Sequence, residues 1–156
     1  MPVRKLVDFL DRNKVKYTRI DHSNAFTASE VAEAAHIPGK EMAKTVMVLL
    51  DSKLAMAVLP ASFQVDLDHL RELTKSHKAE LATEAEFKKT FPECDVGAMP
   101  PFGNLWSIPV YVASALAEDE RIAFSAGTHR QLIQLAYKEF ERLAKPQVLD
   151  FTTILA

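Results

Sequence analysis

Three short stretches of the chain carry residue types that can bind or activate a substrate, and the first is centred on Lys44. It lies near the start of an apolar run from Ala43 to Leu50. Side chains alternate between the two faces of a strand, so Lys44 would share a face with Val46 and Val48. Burying an ammonium group without a partner is costly, which makes Lys44 a candidate for substrate binding or catalysis. The alternative is a lysine at a strand end, with its stem on the core and its head in water.

The second stretch is a loop from Gly97 to Gly103 that reads Gly-Ala-Met-Pro-Pro-Phe-Gly. It lies within residues 91–104, which hold three of the eight prolines and two of the four glycines. That composition excludes regular structure and predicts a long, shaped loop. Glycine lets a backbone approach a ligand closely, and the prolines stiffen the surrounding wall. A rigid connection that touches no ligand is an equally good interpretation of the same residues.

The third stretch is Gly127-Thr128-His129, at the end of a predicted strand. A histidine there can act on a substrate, although a lone histidine is more often structural. Cys94 has no neighbouring pattern of a thiol nucleophile. The five histidines lack the close spacing of a zinc site, and the chain has neither a P-loop nor a dinucleotide-binding glycine motif. We therefore expect no metal and no cofactor.

Composition limits the classes of protein that the chain can belong to. With 156 residues, 48% of them hydrophobic and 26% charged, it is expected to form a packed core in a single domain over residues 1–156. The net charge of −2 argues against an extended nucleic-acid footprint and permits a partner that is touched at one end. A single cysteine suits a reducing cytoplasm. We find no segment long enough to span a bilayer and no signal peptide, so we expect no membrane partner.

Periodicity and turn signals predict an α/β domain with a mixed sheet. Capping boxes are expected at Thr27–Glu30, opening a helix to about His36, and at Thr83–Glu86, opening a helix to about Thr90. Further helices are predicted over residues 3–14, from about Asp66, and over 137–144. Strands are predicted over residues 16–21, 43–50, 54–59, 78–81, 106–113, 121–126 and 131–136.

Taken together, four motifs in this order and spacing resemble the YbaK and prolyl-tRNA-synthetase-associated editing family. They are Ala25-Phe26-Thr27-Ala28-Ser29-Glu30, Met42-Ala43-Lys44-Thr45-Val46, Gly97-Ala98-Met99-Pro100-Pro101-Phe102-Gly103 and Ser125-Ala126-Gly127-Thr128-His129. The resemblance spans residues from about 5 to 145. It implies a mixed α/β fold, partly barrel-like, with flanking helices.

The same resemblance implies a trans-editing deacylase that hydrolyses the ester between a wrong amino acid and the 3′ end of tRNA. The family's lysine maps onto Lys44, which would be catalytic and engage the phosphate or sugar of the terminal nucleotide. The partners implied are the mischarged acceptor end and a synthetase or an elongation factor, in the cytoplasm. The substrate-binding residues implied are Thr45, Gly97, Ala98, Met99, Pro100, Gly127 and His129.

Two questions stay open at this point. A protein of the same fold can bind aminoacyl-tRNA or a nucleotide without hydrolysing it, and the sequence does not separate that binding module from an enzyme. The amino acid removed is also open, with alanine or cysteine on tRNA(Pro) favoured by family analogy. We expect the size of the aminoacyl pocket to depend on how Met47, Met56, Met99 and Phe102 pack.

Overall fold

The computed structural model describes residues 3–22, 31–33, 35 and 37–154. The capping box predicted at Thr27–Glu30 lies outside these residues, as does His36. The helices whose two ends both lie within these residues are α1 (Arg4–Arg12), α2 (Leu67–Leu73), α3 (Glu84–Phe87), α4 (Ser114–Ala117) and α5 (Tyr137–Ala144). The strands are β1 (Tyr17–Asp21), β2 (Ala43–Leu50), β3 (Lys53–Pro60), β4 (Phe63–Val65), β5 (Ala79–Leu81), β6 (Val110–Ala113), β7 (Arg121–Ser125), β8 (Gln131–Ala136), β9 (Gln147–Leu149) and β10 (Thr152–Ile154).

The described strands form three open sheets. The largest has the order β5-β2-β3-β6-β9, in which β3, β6 and β9 run parallel to one another and the other pairs are antiparallel. A three-stranded antiparallel sheet has the order β1-β8-β7, and β10 pairs with β4. The mixed α/β class is confirmed, and the sheets do not close into a complete barrel.

A tight hairpin joins β2 to β3 through Asp51 and Ser52. Both residues have positive φ, of 51° and 69°, which is the backbone of a type I′ turn. One carboxylate oxygen of Asp51 also accepts hydrogen bonds from the backbone N–H groups of His77 and Lys78, each at 2.9 Å. The turn is thereby tied to the segment that leads into β5.

The two faces of β2 contribute to different parts of the core. Ala43 and Met47 belong to the largest buried cluster, whereas Val48 and Leu50 belong to a second cluster beneath α2. Phe102 is fully buried in the first cluster. Its ring packs edge-to-face against three other phenylalanine rings, at centroid separations of 5.5 to 5.9 Å, and these rings belong to Phe9, Phe124 and Phe140.

Most predicted elements are confirmed, and the differences involve short segments. The strand predicted over residues 106–113 is wrong in its first half, where a 3₁₀ helix covers Gly103–Trp106 and β6 begins only at Val110. Ser107 ends that 3₁₀ helix in the left-handed conformation, with φ of 58°, and this breaks the strand. Strands β4, β9 and β10 and helix α4 were not among the predicted elements, because segments of three and four residues are too short to show a periodicity. No helix in the described ranges is long and apolar enough to cross a bilayer.

Candidate functional site

Lys44 lies close to the point where two of the sheets meet. A parallel bridge joins Met42 to Ala123 of β7, supported by a hydrogen bond of 2.9 Å from Ala123 N–H to the carbonyl oxygen of Glu41. On the same edge, β2 pairs with β5 only from Val48 onward. Lys44 therefore stands two residues beyond the bridge, where no strand pairing with that edge of β2 is recorded among the described residues.

The surroundings of Lys44 disfavour its charged form. Its side chain is half-buried, and desolvation lowers the pKa of the ammonium group. None of the ion pairs within the described part of the chain involves Lys44. A partly desolvated cation of this kind can bind an anionic oxygen of a ligand more strongly than a fully solvated lysine can.

Thr45 is adjacent to Lys44 in the sequence, and its side chain points the other way. The alternation of β2 places Thr45 with Ala43 and Met47, on the side of the largest core cluster. The hydroxyl of Thr45 therefore does not share the face of Lys44. Its assignment as a substrate-binding residue stays a prediction. On the face of Lys44, only the backbone of Thr45 could contact a substrate.

Gly97 occupies the special position of a tight turn. The N–H of Ala98 donates to the carbonyl oxygen of Asp95 at 3.0 Å, and Gly97 has a φ of +85°. Because Val96 has no positive φ, this is a type II turn with Gly97 at its third position, where φ must be positive. Gly97 is also exposed, so the turn presents its backbone at the surface.

The turn at Gly97 is tied to the loop at Gly127 through Asp95. The backbone N–H of Asp95 donates to the carbonyl oxygen of Gly127 at 2.7 Å, and the N–H of Gly127 donates to the carbonyl oxygen of Ala98 at 2.9 Å. The carboxylate of Asp95 accepts a hydrogen bond of 3.2 Å from the backbone N–H of His129. The two motif loops therefore form one hydrogen-bonded unit, which we call the Asp95 junction (residues 95–98 and 127–129).

Asp95 was not singled out in the sequence. The signal that was present is Asp-Val-Gly, since aspartate favours the first position of a turn and glycine its third. The local sequence does not reveal which group binds the carboxylate, because His129 is 34 residues away.

His129 packs over Gly97 within this junction. A Cβ atom added to Gly97 would lie 3.6 Å from Cε1 of the His129 ring, which is an ordinary contact distance. The structure thus brings together two of the predicted site residues that are far apart in the sequence. Substitution of Gly97 is limited by its positive φ and not by lack of space.

Gly127 has a structural reason to be glycine. Its φ is +99°, and an added Cβ would overlap with Cγ2 of Val3. Val3 is buried and donates its N–H to the carbonyl oxygen of Ala126 at 2.9 Å. Gly127 therefore allows the residue that precedes α1 to pack directly against the junction.

The middle of the predicted substrate loop is buried. Ala98 is fully buried, and both its N–H and its carbonyl oxygen take part in the junction. Met99 and Pro100 are also buried. Of the four residues whose packing was expected to set the pocket size, Met47, Met56 and Phe102 lie in the core with Met99. Only Met99 also lines a cavity described below.

Cys94 is poorly suited to act as a nucleophile at neutral pH. Burial, followed by the nearby carboxylates of Glu93 and Asp95, raises the pKa of its thiol to about 12. The thiolate needed for attack is therefore scarce at pH 7. Among the described residues, no group of three or more histidine, cysteine, aspartate and glutamate side chains is arranged to hold a metal ion.

The chain resembles known proteins along most of its length. The profile of the aminoacyl-tRNA editing domain family matches residues 22–143. The chain is 26% identical to the proline–tRNA ligase of Leuconostoc citreum (strain KM20) over 94% of its own length, but spans only 26% of that enzyme. It is 31% identical to the multifunctional Ser/Thr-tRNA deacylase ProXp-y of Escherichia coli (strain K12), over 62% of this chain and 58% of that protein.

Solved structures show the same fold. A structure provisionally assigned as a trans-editing enzyme for prolyl-tRNA synthetase superposes with a TM-score of 0.82 and 22% identity, covering 96% of both chains. The family profile matches most of the chain and therefore establishes which family the chain belongs to. The chain belongs to the aminoacyl-tRNA editing domain family, and it is related to trans-editing deacylases.

Proposed function

We propose that this protein hydrolyses, in trans, the ester bond of mischarged aminoacyl-tRNA, with Lys44 as its catalytic residue. The observation that carries the proposal is the position of Lys44, a partly desolvated ammonium group just beyond the bridge between β2 and β7. Strand β7 leads directly from that bridge into Gly127 and His129. Lys44 and the Asp95 junction thus lie on chain segments that this bridge joins.

An aminoacyl ester is already activated, so its hydrolysis does not require a strong protein nucleophile. Holding the ester and a water molecule in a reactive geometry, and stabilising the oxyanion that develops, can supply most of the acceleration. In this proposal the ammonium of Lys44 binds a phosphate or sugar oxygen of the terminal nucleotide. Its reduced solvation strengthens that interaction.

The Asp95 junction would hold the aminoacyl group. Gly97 presents backbone without a side chain at an exposed turn, and His129 packs beside it. Such a surface lets an aminoacyl group approach the backbone at close range. The buried residues Ala98, Met99 and Pro100 would then act by fixing the shape of the turn.

The substrates proposed are small amino acids on a tRNA that should carry another one. Alanine and cysteine on tRNA(Pro) follow from the family resemblance, and the name of the E. coli relative adds serine and threonine. The related region of the Leuconostoc protein is part of a proline–tRNA ligase. We therefore propose action in the cytoplasm on tRNA released by a synthetase, either alone or beside that synthetase.

The test is a deacylation assay with a panel of mischarged tRNAs. It should contain tRNA(Pro) charged with alanine, cysteine, serine, threonine or proline, and the seryl and threonyl esters on other tRNAs. We expect hydrolysis of at least one small non-cognate ester well above the spontaneous rate, with prolyl-tRNA(Pro) spared. Saturable binding of these tRNAs with no hydrolysis of any would instead identify a non-catalytic binding module.

A further inference from the structure

A cavity of about 460 Å³ borders the turn at Gly97, separate from the face of β2 that carries Lys44. Val96 and Met99, on either side of Gly97 in the sequence, both line it, so the cavity shares a wall with the proposed aminoacyl site. Its walls are largely apolar, with two lysines among the lining residues. The principal lining groups are Phe87, Phe91, Cys94, Met99, Lys88 and Lys89.

The chemistry of the lining selects among ligands. Phe87 and Phe91 are buried, whereas Lys88 and Lys89 are exposed, so the two phenylalanines form the deep part and the cations stand at the mouth. An aliphatic amino-acid side chain would fill the apolar part and leave the cations without a partner. A nucleotide satisfies both, because its base has an apolar π-face and its phosphate is anionic.

The two lysines are available to a phosphate. Lys88 lies 3.9 Å from Glu84 in an exposed ion pair. Exposed pairs of this kind contribute little and exchange readily with other partners. Lys89 has no ion pair recorded within the described ranges.

We propose that this cavity holds the nucleotide that precedes the terminal adenosine of the tRNA acceptor end. Its base lies against Phe91 and Met99, and its phosphate lies between Lys88 and Lys89. The inference rests on the proposed function, since it assumes that the terminal adenosine and its aminoacyl group occupy the Lys44 and Gly97 side of the turn. Because the deep walls are largely apolar, the base is held by stacking and not by hydrogen-bond readout.

The cavity has a built-in fluorescent reporter. Trp106 is the one tryptophan of the chain, and its ring centroid lies 4.8 Å from that of Phe91, which lines the cavity. A base that enters the cavity changes the surroundings of this ring pair. Binding can therefore be followed by tryptophan fluorescence with the uncharged trinucleotide CCA, without any hydrolysis.

The test compares three trinucleotides with the wild-type protein. We expect CCA to change the Trp106 fluorescence saturably, and the variant with uridine in the middle position to bind within about threefold of CCA. A middle abasic site should weaken binding by about tenfold, the loss expected when one stacked base is removed. Equal affinity for the abasic trinucleotide, or no saturable change with CCA, overturns the proposal.

Protein variants test the phosphate contact. Lys89→Glu should weaken CCA binding and reduce the slope of log affinity against log salt by about 0.7, as for one phosphate contact on a single strand. The matched control is Lys138→Glu, an exposed lysine beyond the far end of β8 from the Asp95 junction. If the two variants behave alike, Lys89 does not contact the phosphate.

The two proposals fail separately. CCA binding with the expected dependence on the middle base, together with no deacylation of any mischarged tRNA, removes the proposed function and keeps the nucleotide site. Deacylation that depends on Lys44, together with equal binding of CCA and its abasic analogue, keeps the function and removes the nucleotide site.

Discussion

At Lys44, the burial that makes the ammonium useful to a ligand also opposes folding. Its pKa is lower in the folded protein than the ordinary value of 10.5, because desolvation penalises the charged form. Between the lowered pKa and the ordinary value, the unfolded chain binds more protons than the folded one. The free energy of unfolding therefore rises with pH across that window, and the penalty is fully present below it.

We expect the free energy of unfolding of Lys44→Met to exceed that of wild type by the largest amount near neutral pH. That relative gain should shrink as the pH rises through the lowered pKa toward 10.5. Urea unfolding of both proteins from pH 7 to 10.5 measures the difference, and only its dependence on pH is diagnostic. Lys138→Met, at an exposed position, serves as the control and should show a flat difference. A flat difference for Lys44→Met as well would mean that the ammonium is fully solvated.

At Gly97, the effect of the backbone conformation can be tested separately from the effect of an added side chain. Gly97→Ala should lose about 1 kcal/mol of stability from its positive φ, whether or not the residue touches substrate. Gly97→Asn should lose less, since asparagine tolerates the third position of a type II turn. If the turn cradles the aminoacyl group, both variants should lose at least tenfold in kcat per folded molecule.

The measurement pairs deacylation kinetics with urea unfolding on one preparation of each variant. An asparagine variant that is stable and fully active would remove Gly97 from the site and leave it a turn residue only.

Among the single residues, the position of Lys44 on an otherwise apolar strand face was predictable, because the sequence displays that pattern directly. Its catalytic role stays a proposal. The place of Gly97 in a loop was predictable for the same kind of reason. Asp95 was not, since its importance comes from hydrogen bonds to residues 127 and 129. The opposite orientation of Thr45 did follow from strand alternation, but the motif resemblance had grouped it with Lys44.

At the scale of elements, the Asp95 carboxylate holds one loop against another. We expect Asp95→Ala to lower kcat by tenfold or more, because small displacements of positioning groups are costly in rate. Asp95→Asn keeps an oxygen that can accept from the His129 N–H, so it should recover most of the activity.

Both Asp95 variants should melt close to wild type, because the residue is exposed and its backbone hydrogen bonds remain. Deacylation rates and thermal melts would be measured together. Wild-type kcat in Asp95→Ala would contradict the positioning role, and an inactive but folded Asp95→Asn would show that the negative charge is what matters.

The contact between Gly127 and Val3 links α1 to the β7–β8 hairpin. Gly127→Ala should lose about 2 kcal/mol or more, from the positive φ and from the overlap of its Cβ with Val3. Val3→Ala makes room for that methyl group. The double variant should therefore be more stable than the sum of the two single losses predicts.

Urea unfolding of the four proteins in this cycle measures the coupling. Strict additivity would mean that the backbone moves to avoid the overlap, and that only the φ of Gly127 matters.

The helices and strands with a clear period were predictable from the sequence, and α5 was placed at its observed ends. The missed elements were the short ones, β4, β9, β10 and α4, and the segment before β6 where Ser107 adopts a left-handed conformation. The conformation of such segments is determined by their tertiary contacts and not by a periodic pattern in their own sequence.

At the scale of the whole molecule, the mixed α/β class was predictable and the strand order was not. The parallel pairing of β3 with β6 and of β6 with β9 depends on crossovers whose direction no local pattern records. The single bridge between Met42, just before β2, and Ala123 of β7 is likewise a product of the complete fold. That bridge places Lys44 close to the border of two sheets, so the candidate site depends on how the elements assemble.

The central claim is that Lys44 is the catalytic residue of an aminoacyl-ester hydrolase, and single-turnover deacylation tests it most directly. The substrate is the mischarged tRNA that wild type hydrolyses fastest, and the variants are Lys44→Ala and Cys94→Ser, each with a thermal melt. We predict that Lys44→Ala loses at least 100-fold in rate, roughly 3 kcal/mol of transition-state stabilisation, while it stays folded. With enzyme in saturating excess, so that any effect of Cys94 on binding in the cavity does not alter the rate, Cys94→Ser and a chelator should leave the rate nearly unchanged. A folded Lys44→Ala protein that deacylates at the wild-type rate would contradict the account.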